Sequence, residues 1–337
     1  MSALAFEPSF KDVVKAHRFL NTRLRHTPTE YSHALSDVAG SPVYVKWENQ
    51  QLCGSFKVRG ALYRMSVLSE DERARGVVTC SSGNHGQGVA LAAREMKVRA
   101  VIFVPNACPE IKKQAIRRLG GDWVDLAVSD GDFDSADGEA VRFAEMSGGT
   151  YISSFEDAYL IAGQGAAGLE MFMDEPDIDY LLLPAGGGGL LNGAAIAAKA
   201  INPDVEIFGV QSAASNPWVV SWEEGVVKAV EYRDTLADGL AGAIPQSLLT
   251  LAKTRVSGIY EVTEDDIGRA IAYAHREHRQ IVEGAGAVGI AALLAGYAKP
   301  GKKTGVFVSG GNIDDDQLKK ILALWGGDNP SRGYNRV

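Results

Sequence analysis

The stretch DYLLLPAGGGGLLNGAAIAAKA, Asp179–Ala200, passes from a continuous apolar run into four consecutive glycines, Gly186–Gly189, and then into an Ala-rich segment at helical spacing. A strand that is apolar at every position is buried on both faces, which points to a parallel sheet covered by helices. Glycines at the strand-to-helix turn leave successive backbone N–H groups unobstructed. With the helix dipole they form a nest for an anion. The spacing is not GxGxxG, because Leu191 or Asn192 stands where the last glycine should be, and no GKS or GKT follows to make a Walker loop. A monophosphate suits the turn better than a dinucleotide, the alternative being a tight turn with close packing. GYAKPGKK (Gly296–Lys303) approaches a P-loop but ends in Lys303 and runs from helix into strand, so it reads as a solvated turn.

The same alternation extends outward from this stretch. PVYVKWE (Pro42–Glu48), GVVTCS (Gly76–Ser81), VRAVIFVP (Val98–Pro105), VEIFGVQ (Val205–Gln211) and TGVFVS (Thr304–Ser309) read as further strands. Between them, Gln87–Met96, Pro109–Leu119, Gly163–Met173, Leu190–Ala200 and Asp265–Arg276 read as helices. The fold class is α/β. SDGDFDSADGE (Ser129–Glu139) and SGGTYISSFED (Ser147–Asp157) are the strongest compositional breaks and bracket a domain edge.

The chain has 337 residues, 46% hydrophobic, with 34 Lys+Arg against 42 Asp+Glu and a net charge of −8. Such a chain makes one large domain or two ordinary ones at about 150 residues each. The acidic balance, with no long basic run, argues against nucleic acid as a partner. Cys53, Cys80 and Cys108 form no CxxC and have no His at ligand spacing, so neither disulfides nor zinc are indicated and a reducing cytoplasmic setting is expected. MSALAFEPSFKD has two acids and no basic-then-apolar pattern, so no signal peptide is expected. No membrane span is expected either: Tyr180–Ala198 is broken by Pro184 and the glycines, and Gly284–Ala298 is shorter than the ~20 residues a bilayer needs.

Four other segments carry candidate chemistry. CSSGNHGQG (Cys80–Gly88) places Ser81, Ser82, Gly83 and Asn84 at a helix N-terminus, an arrangement for a carboxylate. His85 there is more simply a packing or capping residue, and no GxSxG elbow or His–Asp pair supports a hydrolase. CGSFKVRGA (Cys53–Ala61) sets Lys57 between Phe56 and Val58 after a strand. A desolvated lysine forms an imine with an aldehyde, and an aldehyde carried on a phosphate would account for the glycine run as well. VSGGNIDDD (Val308–Asp316) brings Ser309 and Asn312 to another strand end, where an ordinary turn with a helix N-cap is the simpler reading. In IVEGAGAVGIAAL (Ile281–Leu293), Glu283 precedes an uncharged helix and reads as a dipole partner.

Taken together, SFKVRGA, SSGNHGQG, AGQGAAGLE (Ala162–Glu170), PAGGGGLLNG, ADGLA (Ala237–Ala241), VEGAGAVG and VSGGNID resemble, in order and over nearly the whole chain, the fold-type II pyridoxal 5′-phosphate (PLP) enzymes of the serine/threonine dehydratase and serine racemase branch. Cysteine synthases are less similar, having Thr-Gly where this chain has His85-Gly86. The resemblance implies two open αβ domains with parallel sheets, a large PLP-binding one of residues 1–75 and 151–337 and a small one of 76–150. It implies a homodimer, with no added amino-acid-sensing domain. It further implies that Lys57 holds PLP covalently and takes the substrate Cα proton. Phe56 would pack on the ring, Asn84 would bond the 3′-oxygen, Gly186, Gly187, Gly188 and Gly189 would bind the phosphate, and Glu283 would lie on the cofactor side. Ser309 would face the ring nitrogen and leave it largely unprotonated, favouring β-elimination over transamination. Ser81, Ser82, Gly83, Asn84 and His85 would line the substrate side, and Ser82 matches the opposite-face base of serine racemases.

The implied activity is elimination of water from a small L-β-hydroxy amino acid, L-serine or L-threonine, to a 2-oxo acid and ammonia. The alternatives are an amino-acid racemase, a hydroxyaspartate dehydratase, or a PLP- or phosphate-binding protein without catalysis. Where metal-activated members carry acids, this chain reads GVQSAASNPW, with Gln211, Ser212, Asn216 and Pro217, so no metal site is assigned. Where serine racemase has a substrate-facing arginine, this chain carries the acidic GDFDSADGE, read either as a loop that disfavours dicarboxylates or as a solvated surface loop.

Overall fold

A computed structural model describes residues 4–297, 299 and 301–327. The first three residues of the N-terminal reading, Ala298 and Pro300 of the GYAKPGKK turn, and the last ten residues of the large domain as drawn from the sequence lie outside the described residues.

Among the described residues, ten strands form two sheets. They are β1 (Thr29–Tyr31), β2 (Val43–Trp47), β3 (Val77–Cys80), β4 (Ala100–Pro105), β5 (Val124–Ser129), β6 (Thr150–Tyr151), β7 (Tyr180–Pro184), β8 (Glu206–Ser212), β9 (Gly258–Val262) and β10 (Thr304–Val308). The larger sheet runs β1-β2-β10-β7-β8-β9 and the smaller β5-β4-β3-β6. All neighbours are parallel except β1, which pairs antiparallel with β2 through Glu30 opposite Val45. The parallel expectation holds for every pair but this edge, where a three-residue strand closes the sheet.

Alternation along β7 shows why its apolar run is continuous. Tyr180 and Leu182 point into a layer with Ile267, Ile271 and Val288, while Leu181 and Leu183 point into the opposite layer with Met171, Leu190 and Leu191. Both faces are covered, so each position needs an apolar side chain, and burying Leu181–Leu183 contributes roughly 5–9 kcal/mol of transfer free energy. The helices Ala158–Asp174 and Gly189–Ile201 pack closely enough that a Cβ on Gly168 would lie 2.7 Å from the Ala194 Cα.

The structure revises the reading of the acidic segment. Ser129–Glu139 is not a loop throughout: Asp132 caps the helix Phe133–Ser147 by accepting from Ser135 N at 2.9 Å, and Asp137 on that helix accepts from the Tyr151 hydroxyl. Asp132 and Asp134 serve the helix N-terminus, where carboxylates are favoured by the exposed N–H groups and the dipole. The strands absent from the sequence reading, β1, β5, β6 and β9, are short or only half-buried and lack a continuous apolar run.

Candidate active site

In open parallel sheets, ligands bind outside the carboxyl ends of the strands, where helix N-termini converge. The segments singled out in the sequence gather there. Gly186–Gly189 follow β7, Ser309 follows β10, Ser81–Asn84 follow β3, and Lys57 opens the helix Lys57–Ser66 after a connection from β2 that includes the 3-10 turn Glu48–Gln50. The Lys57 and Ser309 turns are joined directly, for Phe56 N donates to Ser309 O at 3.1 Å and Ser55 bridges Gly310.

The glycine run is shaped by what surrounds it. Gly188 has φ +101, a left-handed conformation that glycine adopts without strain, and it caps the helix Gly189–Ile201. A Cβ on Gly188 would lie 2.7 Å from the Trp218 ring, and one on Gly187 would overlap the Phe155 ring. Trp218 Nε1 donates to Gly186 O, which fixes the turn from below. The result is a turn of backbone at a helix N-terminus with no space for side chains at Gly187 and Gly188.

Lys57 is part-buried, with its ammonium 5.3 Å from the centre of the Phe56 ring and its Nζ donating to Ser154 O at 2.9 Å. Burial lowers its pKa to about 8, against the opposing attraction of Glu283. A lysine so placed has an appreciable neutral, nucleophilic fraction near neutral pH. His85, the second residue of the neighbouring helix Asn84–Met96, is buried, with its Nε2 3.1 Å from Thr79 Oγ1. Burial and then Lys57 push it down to about 3, so it is a neutral packing residue, as its isolation in the sequence implies.

Glu283 departs from its sequence reading. It stands at the N-cap of the helix Gly284–Ala292 but makes no side-chain cap, and instead its Oε1 accepts from Asn84 Nδ2 at 2.6 Å. Asn84 Oδ1 in turn accepts from Asn312 Nδ2 at 2.7 Å. Burial, reinforced by Asp238, raises Glu283 to about 7. Asn312 is thus part of a polar chain across the site rather than the N-cap of the last helix, a place taken by Asp314. Ser309 is buried and its hydroxyl donates to Ala285 O at 3.4 Å. On the other side, Ser81 Oγ accepts from Gly83 N at 3.2 Å, and Ser82 sits in hydrogen-bonding reach of the Cys108 thiol.

Beneath Lys57 lies a charge cluster that sequence reasoning missed. Arg59, fully buried, donates through Nε to Glu48 Oε2 and through Nη1 to Glu170 Oε1, both at 2.7 Å, and Lys46 Nζ reaches Glu170 Oε2 at 3.0 Å. Two cations and two carboxylates balance, and the two carboxylates hold the Arg59 guanidinium above its ordinary pKa despite its burial. The network ties the lysine helix to the end of β2 and to the helix Ala158–Asp174.

Among the described residues, no group of three or more His, Cys, Asp or Glu side chains is placed to hold a metal ion. In GVQSAASNPW, Gln211 Oε1 accepts from Trp218 N at 3.0 Å and Asn216 Nδ2 donates to Glu261 Oε2 at 2.6 Å, while Gln211 Nε2 and Ser215 Oγ are buried without a partner. Among the described residues, no helix is long and apolar enough to cross a membrane.

Comparison with known proteins follows the same outline. A family profile described as pyridoxal-phosphate dependent enzyme matches residues 20–310. The L-threonine ammonia-lyase of Thermotoga maritima is 40% identical over 315 residues, covering 93% of this chain and 78% of that protein. Among solved structures, maize serine racemase superposes with a TM-score of 0.88 at 30% identity, over 95% of this chain and 98% of that one. The processed form of threonine deaminase isoform 2 from Solanum lycopersicum gives 0.87 at 34% identity, over 96% and 97%.

Proposed function

The chain belongs to the pyridoxal-phosphate dependent enzymes, and from that premise we propose that it is an ammonia-lyase eliminating water from a small L-β-hydroxy amino acid, L-threonine or L-serine, whose unsaturated product then takes up water, loses ammonia and leaves a 2-oxo acid. The observation that carries this reading is the convergence of a lysine of lowered basicity, an anion cradle and a buried serine hydroxyl at neighbouring strand ends. The cofactor fits the residues present. The cradle excludes side chains at Gly187 and Gly188, as a phosphate site needs, and Lys57 is desolvated as an imine-forming amine needs.

When bound, PLP supplies an electron sink that acidifies the substrate Cα–H. Gly186–Gly189 would hold its phosphate through backbone N–H groups, and Phe56, beside Lys57, would pack against its ring. Asn84, its side chain pinned between Glu283 and Asn312, presents a fixed polar edge to the cofactor. Ser309 would offer the ring nitrogen a hydroxyl rather than a carboxylate, a partner that does not favour its protonation. Lys57 moves the Cα proton, its pKa of about 8 suiting proton exchange near neutrality. The turn Ser81–Asn84 receives the substrate carboxylate at a helix N-terminus, while the His85 side chain, expected from the sequence on the substrate side, is buried against Thr79 and supports the turn instead. Residues 1–75 with 151–337 and residues 76–150 act as two domains, a division supported by the two separate sheets except at Tyr151, which pairs with Val78 in the smaller sheet. The enzyme works in the cytoplasm as a homodimer, a reading supported by three unpaired cysteines and by the family.

The test is release of 2-oxo acid and ammonia from L-threonine, L-serine, D-serine and hydroxyaspartate, with chiral analysis of the remaining amino acid. 2-Oxobutyrate or pyruvate from the L-isomers, lost in Lys57→Ala, is expected. Turnover retained by Lys57→Ala would refute the assignment. Accumulation of enantiomer with little oxo acid would favour the racemase reading, supported by the place of Ser82 and the likeness to maize serine racemase.

A further inference from the structure

Gln164 lies in the middle of the helix Ala158–Asp174, 1% exposed, and neither its Oε1 nor its Nε2 has a hydrogen-bond partner. Buried amides are nearly always paired, because each unpaired donor or acceptor retains the full cost of leaving water. Asn192, on the helix that opens from the cradle, shows the ordinary case: its Nδ2 donates to Gly188 O at 2.9 Å and Leu248 O at 3.2 Å. The side chain of Gln164 is also aimed. It threads past Gly60 of the lysine helix, where an added Cβ would stand 3.0 Å from its Cγ, and it ends at Gly189, where an added Cβ would overlap its Oε1 and lie 3.3 Å from its Cδ. Gly163 and Gly165 on either side let the helix approach this closely, for a Cβ on either would stand 2.7 Å from Arg59 O or Gly193 O.

We infer that Gln164 is a further residue of the phosphate cradle, its side-chain amide donating to the cofactor phosphate beside Gly189. The inference rests on the cofactor reading above. A phosphate oxygen only accepts, so Nε2 must face it. Neither end of the amide has a partner to lose, so a half-turn of the terminal torsion brings Nε2 into place. An apolar residue would suit this helix position better in the empty protein, and the amide is satisfied only once an acceptor arrives.

The experiment uses the full chain, stripped of cofactor, with wild type, Gln164→Leu and Gln164→Glu titrated with PLP, with pyridoxal lacking the phosphate, and with inorganic phosphate as competitor. Loss of one hydrogen bond to a charged group corresponds to about a tenfold or greater weakening. PLP and inorganic phosphate are therefore expected to bind Gln164→Leu at least tenfold more weakly, and Gln164→Glu more weakly still because its carboxylate repels the phosphate. Pyridoxal affinity should stay within about twofold of wild type. The 31P resonance of the bound cofactor should move in Gln164→Leu, and the cofactor-free variant should melt no lower than cofactor-free wild type. Equal weakening of PLP and pyridoxal would make Gln164 a packing residue and overturn the inference, as would unchanged affinity for both. Failure of wild type to take up PLP would instead refute the cofactor reading. If Gln164→Leu does not fold, Gln164→Glu alone decides, through its ratio of PLP to pyridoxal affinity.

Discussion

Replacing Glu283 by glutamine should stabilise the cofactor-free protein, by an amount that grows with pH. Glu283 is 7% exposed and is raised from 4.5 to about 7, first by burial and then by Asp238. Its folded pKa therefore exceeds its unfolded one, so the folded state holds the proton more tightly. The stability this gives is fully present below pH 4.5 and is lost as pH rises through 7. At 1.36 kcal/mol per pKa unit, the ionised side chain at pH 9 costs about 3 kcal/mol relative to a neutral one, and at pH 5 only about 1 kcal/mol. Glutamine keeps an oxygen to accept from Asn84 and carries no charge. The comparison is best made at pH 9, where Lys57 is largely neutral and gains little from the Glu283 carboxylate. Thermal or urea unfolding of both cofactor-free proteins at pH 5 and 9 should show the variant ahead by about 4 °C at pH 9 and by far less at pH 5. Parallel stability curves across that range, or a variant less stable at pH 9, would show that Glu283 is not held near neutrality and would refute the reasoning.

Capture of PLP by the cofactor-free chain should accelerate as pH rises through about 8, since only the neutral amine of Lys57 attacks an aldehyde; stopped-flow absorbance would show it, and a half-point above pH 10 would contradict the lowered basicity. Arg59→Met should cost about 3–5 kcal/mol in urea unfolding by leaving Glu48 buried without a cation and Glu170 with Lys46 alone, and Arg59→Lys should recover little because a single ammonium cannot bond both carboxylates as the guanidinium does. Gly188→Ala should lower PLP retention on dialysis at least tenfold, its methyl group meeting Trp218 in a left-handed conformation. Ser82→Ala should leave 2-oxo acid formation within about threefold of wild type and abolish any enantiomer production seen by chiral chromatography, a loss of racemisation alone marking the hydroxyl as an opposite-face base.

Much of the site is legible in the sequence because its chemistry is local. Four glycines between an apolar run and an Ala-rich run can do few things, and Lys57, Ser81–His85 and Ser309 each mark a strand end. The parts that are not legible are those made by distant partners. Asn84 meets Glu283 across 199 residues and Asn312 across 228, while Lys57 meets the Ser154 carbonyl across 97, and no local pattern encodes such pairs. Glu283 is the clearest instance, since its place before a helix suggests a dipole partner and its side chain turns elsewhere. Arg59, in a motif that stands out for its lysine, passes as an ordinary charge because burial is a property of the assembled layers. The acidic segment misleads by composition: Asp, Ser and Gly mark helix starts as well as loops, and Asp132 with Ser135 makes the start.

The place of β10 bears on how the protein is made. It is the last of the described strands to leave the ribosome, yet it lies between β2 and β7 in the middle of the larger sheet. Until Thr304–Val308 emerge, β2 and β7 each present an open hydrogen-bonding edge flanked by apolar faces, a template for pairing with other nascent chains. The turn that follows β10 carries Ser309 and holds Phe56 N, so the pocket closes in the same event that seals those edges. Synthesis halted before residue 304 should therefore yield an aggregating fragment blind to vitamin B6, and the first chain able to retain the vitamin would be one whose central strand is complete.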